Sequence, residues 1–261
     1  MPALRTTIGE RIIRFEEVDS TNSFLMREKE HLNEHGLVVT TAFQNGGRGR
    51  RDRKFIALPG KNITFSVVIH PSPKVEEISI YSLLAGIAVV RSLKSYTVIP
   101  PRLKWPNDVL VNRRKICGIL LEAAPSPMLH SPVLVIGIGI NCLGKSSDYP
   151  EMLQKSVTTL EEESNKSFNQ ESIFQEVLKS LGDVIDELEN RGSAHLLQEW
   201  IAHSNAIGAL VEYEKAGTWA EGCIEGLTAV GYLLIRDKSG ELHTHISGDV
   251  VYSDHPYRSQ E

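Results

Sequence analysis

The run Gly46-Gly47-Arg48-Gly49-Arg50-Arg51-Asp52-Arg53-Lys54 places five cations and three glycines within nine residues. Glycine lets backbone N–H groups come close to a ligand. Arginine forks grip carboxylate or phosphate through paired hydrogen bonds. The pattern suits a polyanion such as the phosphates of ATP, and composition alone fits a solvated basic loop or a nucleic-acid arm equally well. A second segment is Lys104-Trp105-Pro106-Asn107-Asp108, which follows an apolar strand start. Its proline fixes a turn, so Lys104 is held at a strand end, where an ammonium can neutralise a carboxylate or phosphate as a point charge. The plainer reading of that pair is a surface lysine beside a packed tryptophan.

Two other segments carry weaker signals. Gly139-Ile140-Asn141-Cys142-Leu143-Gly144-Lys145-Ser146 matches the phosphate-binding P-loop pattern and follows a strand-like run. A P-loop needs a helix to start at its lysine and aim its N-terminus at the phosphates. Here Ser147-Asp148-Tyr149-Pro150 follows, and Pro150 is hard to place in the first turns of such a helix. No later apolar strand ends in an aspartate suited to magnesium. His243 and His245 alternate on one strand face, as metal ligands can, but no third ligand is close in sequence, which favours an ordinary polar strand face. No nucleophile elbow and no spaced carboxylate pair stand out.

The elements that must position these residues follow from periodicity. Arg11 to Val18, Leu37 to Ala42 and Asn62 to Ile69 read as strands, the last with Ile63, Phe65, Val67 and Ile69 on one face. Asp19 to Ser23 is a cluster of capping residues that predicts a helix beginning before Phe24-Leu25-Met26. Ile80 to Leu93 reads as a mostly buried helix. Leu103 to Val111 is broken by the turn at Pro106-Asn107-Asp108. Ile116 to Ala123 and Val133 to Ile140 are strands, with Pro125 to Pro132 as their hairpin loop. Asn169 caps a helix running to about Asn190 whose apolar residues recur every three or four positions, and Leu196 to Ala202 continues as helix. After Asn205 short strand-like pieces, separated by glycines and the Ser239-Gly240 turn, predict a small β-barrel.

Composition sets the limits. The 261 residues suffice for a main domain plus a small one, and 41% hydrophobic with 23% charged residues is ordinary for a folded protein. A formal net charge of −5 makes any positive patch local and argues against a protein that coats nucleic acid. Cys117, Cys142 and Cys223 form no C-x-x-C pair, which excludes a cysteine zinc site or a disulfide framework. No apolar run approaches bilayer length and Met1 to Arg14 lacks a signal-peptide core, so a cytoplasmic protein is expected.

In this order the segments resemble the biotin–protein ligases. The matching pieces are Asp19-Ser20-Thr21-Asn22, Gln44, Gly47-Arg48-Gly49-Arg50-Arg51, Gly60-Lys61-Asn62, Lys104 to Asp108, Lys115-Ile116-Cys117-Gly118-Ile119-Leu120 and Gly137 to Asn141. Each alone is weak, but seven in order over most of the first 145 residues are specific. The resemblance implies an α+β fold: a mixed sheet flanked by helices, as in class II synthetase-like catalytic domains, over residues 1–206, and an SH3-like barrel over 207–261. It implies ATP-driven activation of biotin to biotinyl-5'-AMP, with magnesium, and transfer to a lysine of a biotin carboxyl carrier domain, with neither nucleic acid nor membrane as partner. Ser20, Thr21, Asn22, Gln44 and Gly118 would bind biotin. Arg48, Gly49, Arg50 and Lys104 would meet its carboxylate, with Lys104, Arg48 and Arg50 catalytic. Arg48, Arg50, Arg51, Phe55, Asn107, Lys115 and Asn141 would lie on the ATP side.

The chain departs from the family pattern at three places. Asp52 stands where many bacterial relatives carry glycine, Phe55 where tryptophan is usual, and Gly248-Asp249 where Gly-Glu is usual. Only about 18 residues precede the first motif, too few for the DNA-binding domain of some relatives, so a monofunctional ligase is expected. A lipoate-type ligase of the same fold and a non-catalytic nucleic-acid module are the competing readings.

Overall fold

Two strands are buried along their entire length, β3 (Asn62–Ile69) and β7 (Val133–Asn141). Their odd and even faces are both covered, one by apolar packing and the other by the polar wall described below. They form the centre of a mixed sheet with β1 (Ile12–Val18), β2 (Val38–Gln44), β4 (Arg102–Lys104), β5 (Asp108–Val111) and β6 (Arg114–Ala124), in the order β1-β2-β3-β7-β6-β5-β4. The β1–β2 pair is parallel and every other pair is antiparallel. A second, antiparallel sheet holds β8 (Leu210–Lys215), β9 (Thr218–Leu227), β10 (Leu233–Asp237), β11 (Leu242–His245) and β12 (Val250–Tyr252), in the order β11-β10-β9-β8-β12. The structure, a computed structural model, describes residues 8–72, 75, 77–125, 132–215 and 217–252. The loop expected between Pro125 and Pro132 lies, apart from those two ends, outside the described residues.

The helices are α1 (Thr21–Arg27), α2 (Ile80–Leu93), α3 (Glu151–Gln154), α4 (Leu160–Glu163), α5 (Gln170–Arg191) and α6 (Ala194–Ser204). In α5 the Asn169 side chain accepts from Ser172 N–H, and Ile173, Val177, Leu181, Val184 and Leu188 are buried, as the spacing predicts. Gly192, at φ 76°, ends the helix where a side chain would be strained. Nearly all of α2 is buried because the sheet covers one flank while α5 and α6 cover another. Arg91 on α2 ties all three helices, bonding Glu187 at 2.6 Å and Glu199 at 2.5 Å.

Three boundaries differ from expectation. The capping cluster is not wholly outside its helix: Ser20 caps α1, while Thr21 and Asn22 form its buried first turn. β10 starts at Leu233 rather than near Ala229, because Thr228 to Tyr232 form a tight turn in which Gly231 adopts φ 88°. α3 and α4 are too short to show apolar periodicity and were not expected.

The turn before β10 fastens the second sheet to the first. Trp105 Nε1–H donates to the Gly231 carbonyl at 3.1 Å. A Cβ at Gly231 would stand 2.7 Å from a Leu83 methyl, so the turn sits directly on α2. His245 of β11 is buried between the Trp105 and Tyr213 rings, with centroids 5.3 and 5.6 Å away. No helix among the described residues is long and apolar enough to cross a membrane.

Candidate active site

Glycines open the sheet on the α1 side. Gly118 and Gly139 are cross-strand partners, as are Ser66 and Gly137, so all four share one face. A Cβ at Gly137 would stand 2.2 Å from Asn22 Oδ1, and one at Gly139 2.4 Å from the Phe55 ring. Those missing side chains admit Asn22 and Phe55 to the floor of a cavity of about 720 Å³.

The polar wall begins at Gln44, whose Oε1 accepts from Thr21 N–H at 2.8 Å. Thr21 Oγ1 lies 3.1 Å from that oxygen and 2.6 Å from Ser66 Oγ. Ser66 Oγ–H donates to Asn22 Oδ1 at 2.5 Å, and Asn22 Nδ2–H donates to the Leu120 carbonyl at 3.3 Å and to Glu122 Oε2 at 2.9 Å. Thr21, Asn22, Gln44 and Ser66 are all buried, and each residue has at least one hydrogen-bond partner in the wall. Such a wall matches a small polar ring better than a solvent-facing surface.

The glycine–arginine run is a hairpin. Arg48 and Lys54 bridge in antiparallel fashion, Gly49 N–H donates to the Arg53 carbonyl at 2.7 Å, and Phe55 N–H donates to the Gly47 carbonyl at 3.0 Å. Its tip holds two successive non-glycine residues in the left-handed region, Arg51 at φ 53° and Asp52 at φ 59°. Each costs on the order of 1 kcal/mol. The second sheet braces this tip: Arg51 pairs with Glu214 at 2.5 Å and with Asp249 at 3.7 Å, and Arg53 pairs with Asp249. Arg51 therefore serves the brace and does not line the cavity, contrary to its expected place on the ATP side. Arg48 faces Glu122 at 2.6 Å. Arg50 does line the cavity; its burial holds the guanidinium pKa below the ordinary value, with Asp249 opposing that shift. With their arginines committed to carboxylates, neither the tip nor Arg48 resembles a free nucleic-acid arm.

On the opposite wall, Lys104 of β4 and Asp108 of β5 are cross-strand partners around the Trp105–Pro106 turn. Burial presses the Lys104 pKa downward; Asp108 pulls it back up and Lys115 adds to the lowering. Lys115 Nζ is 2.7 Å from Asp108 Oδ1. Asn107 pins the turn to β6, donating through Nδ2–H to the Ile119 carbonyl at 2.7 Å and accepting from Ile119 N–H at 2.9 Å. The cavity thus brings together Ser20, Thr21, Asn22 and Gln44 with Arg48, Gly49, Arg50 and Phe55, and with Lys104, Asn107, Lys115 and Gly118.

Asn141 is not among them. It is buried beyond the cavity, accepting from Asn62 Nδ2–H at 3.0 Å and donating to the carbonyls of Lys115 at 3.2 Å and Thr158 at 3.1 Å. Both its amide hydrogens are used, so it braces the backbone of Lys115 beside the cavity. The P-loop-like run is also no phosphate cradle. Carboxylates already take its backbone donors: Glu161 bonds Gly144 N–H at 2.5 Å, Glu162 bonds Ser146 N–H at 2.9 Å and Asp148 bonds Lys145 N–H at 3.1 Å. His243, with Asp237 and Glu241, brings ligand-type atoms within 4.8 Å, but the Lys215 ammonium lies 3.1 Å from His243 Nε2 and supplies the positive charge there.

Sequence reasoning missed the second sheet's share of the cavity: Glu212, Trp219, Asp249, Val250 and Val251. It also missed Glu122, which stood next to a matched segment but outside it.

A buried hydrogen-bonding wall facing lysines and arginines across one cavity defines an enzyme that binds a small polar molecule and manages anionic charge beside it. The chain belongs to the biotin/lipoate A/B protein ligase family, whose sequence profile matches residues 14–141. It is 30% identical over 240 residues to the biotin–[acetyl-CoA-carboxylase] ligase of Mycobacterium tuberculosis, covering 90% of this chain and 83% of that one. With the bifunctional ligase/repressor BirA of Bacillus spizizenii it shares 27% identity over 239 residues, covering 91% and 73%. The biotin protein ligase from Aquifex aeolicus, solved in complex with biotin and ATP, superposes with a TM-score of 0.79 at 28% identity, covering 93% of this chain and 98% of that one.

Proposed function

We propose that this chain is a biotin–protein ligase. Biotin's carboxylate attacks the α-phosphate of ATP, forming the C–O–P bond of biotinyl-5'-AMP while the bond to pyrophosphate breaks. A lysine amine of a carrier domain then attacks the acyl carbon, and AMP leaves with its bonding electrons. The observation that carries this reading is the single cavity in which Thr21, Asn22 and Gln44 lie across from Arg50, Lys104 and Lys115.

The chemistry needs that pairing. A carboxylate is a poor acyl donor because oxide is a poor leaving group, and adenylation replaces oxide with AMP. The first step brings two anions together, so fixed cations in a water-poor cavity must offset their repulsion. Lys104, half-buried and held at the end of β4, meets the carboxylate where the new bond forms. Arg48 and Arg50 cover the carboxylate and the adenylate phosphate. Phe55, stacked on Gly139, offers an aromatic face to adenine with less area than tryptophan. Asp108 lines the cavity, and its carboxylate, paired here with Lys115, is the oxygen donor type that would hold magnesium arriving with ATP; the ion would neutralise phosphate charge.

The acceptor is a carrier domain of a biotin-dependent carboxylase. The cytoplasm is the fitting compartment, since Cys117, Cys142 and Cys223 are all unpaired. The reading is tested by pyrophosphate release, which is expected only when biotin and ATP are both present. Release with lipoate in place of biotin, or with ATP alone, would refute it.

A further inference from the structure

We propose that Glu122 is a positioning residue for adenylation, fixing both the direction of the biotin-binding wall and the resting place of Arg48. The inference rests on the biotin-ligase reading. Glu122 lies on β6 beyond the cavity lining, so it acts through its neighbours. One of its oxygens, Oε2, accepts from Asn22 Nδ2–H at 2.9 Å and from Arg48 Nη2–H at 2.6 Å.

Counting hydrogens shows what the carboxylate enforces. An ionised carboxylate only accepts, so the Asn22 amide must turn its NH2 group towards Glu122. Both N–H bonds are then used, on Glu122 and on the Leu120 carbonyl. Asn22 Oδ1 accepts from Ser66 and keeps one lone pair, so Asn22 offers an incoming ring an acceptor and no donor. Ser66 spends its one hydrogen on Asn22, so in the 2.6 Å contact the Thr21 hydroxyl is the donor, its one hydrogen shared with Gln44 Oε1 at 3.1 Å. The donors Ser66 and Asn22 therefore point in succession towards Glu122, with its charge as the terminus. The ligand class this wall selects carries N–H donors, as the ureido ring of biotin does.

At Arg48 the same oxygen holds one edge of the guanidinium. The other N–H groups of that fork remain to meet the ligand carboxylate and adenylate phosphate. Glu122 so links recognition of the ring to placement of the cation that receives the acid.

Glu122→Gln tests this, since it keeps the shape and an acceptor oxygen while removing the charge that sets the Asn22 amide and anchors Arg48. The expected result is a biotin KM in pyrophosphate release raised about tenfold, the scale of one charge-assisted hydrogen bond. The fall in kcat is expected to be smaller, with a melting temperature within about 4 °C of wild type. In an Arg48→Ala background the same substitution should raise KM clearly less than it does with Arg48 intact, because one of its two routes is gone. An unchanged or lowered KM in Glu122→Gln would overturn the proposal, as would effects that simply multiply. A melting temperature lowered by more than about 10 °C would assign Glu122 to folding and overturn it as well. The wild type measured alongside separates the two claims: without biotin-dependent pyrophosphate release there, the ligase reading falls and this inference with it.

Discussion

At Lys104 two effects oppose one another. Burial lowers the pKa by disfavouring the ammonium, while Asp108 across the β4–β5 turn favours it. Carboxylate and phosphate arriving in the cavity add negative charge and shift the balance towards the protonated form. Lys104→Ala is expected to slow adenylate formation about 100-fold, the scale found when one preorganised charge-stabilising donor is removed, with folding intact. Near-normal pyrophosphate release would remove Lys104 from the mechanism. The pH dependence has a definite sign. A lysine pressed below its ordinary value of 10.5 loses its proton earlier as pH rises, so in the free enzyme kcat/KM for adenylation should decline below that pH. A profile flat through pH 10.5 would contradict the assignment. Lys104 was legible because Pro106 restricts its neighbourhood and its segment is distinctive. Asn141 lies outside the cavity lining: its segment matched, but it stands at the end of β7, where its side chain turns to backbone carbonyls.

The hairpin and the second sheet act as a pair of elements. The left-handed tip at Arg51 and Asp52 is held against its own strain by Glu214 and Asp249. These pairs are partly exposed, so each contributes at most about 1 kcal/mol. Replacing both acids, as Glu214→Gln with Asp249→Asn, is expected to raise the KM for ATP roughly two- to tenfold and to speed amide exchange within the hairpin. Unchanged exchange at Gly49 and Arg53, whose backbones are bonded across the hairpin, would show that the second sheet does not brace it. Apolar periodicity made β3, α2 and α5 legible, since each buries a face large enough to leave a pattern. The brace was not legible, because Arg53 and Asp249 are 196 residues apart and a single acid just before a strand carries no sign of its partner. The departure at Asp249 was visible in the sequence; that it faces Arg53 was not.

Across the whole molecule, charge is sorted rather than accumulated. A chain of net charge −5 lines one cavity with Arg48, Arg50, Lys104 and Lys115 and pairs Arg48 with Glu122 and Lys115 with Asp108. Where the run near Gly144 imitates a phosphate loop, Asp148, Glu161 and Glu162 fill it instead. The mixed sheet with a β-rich C-terminal unit was legible from the order of strand and helix patterns, and the segments of the first 145 residues pointed to the cavity they form. How the second sheet closes that cavity depended on tertiary contacts such as Trp105 to Gly231. Activation of biotin in this cavity for a protein lysine is checked by incubating the protein with biotin, magnesium, ATP and a carboxylase carrier domain, then weighing the carrier. The expected result is a gain of one biotinyl group on the acceptor lysine, dependent on ATP and abolished by replacing that lysine. A carrier that stays unmodified, or that gains a lipoyl group in preference to biotin, would contradict it.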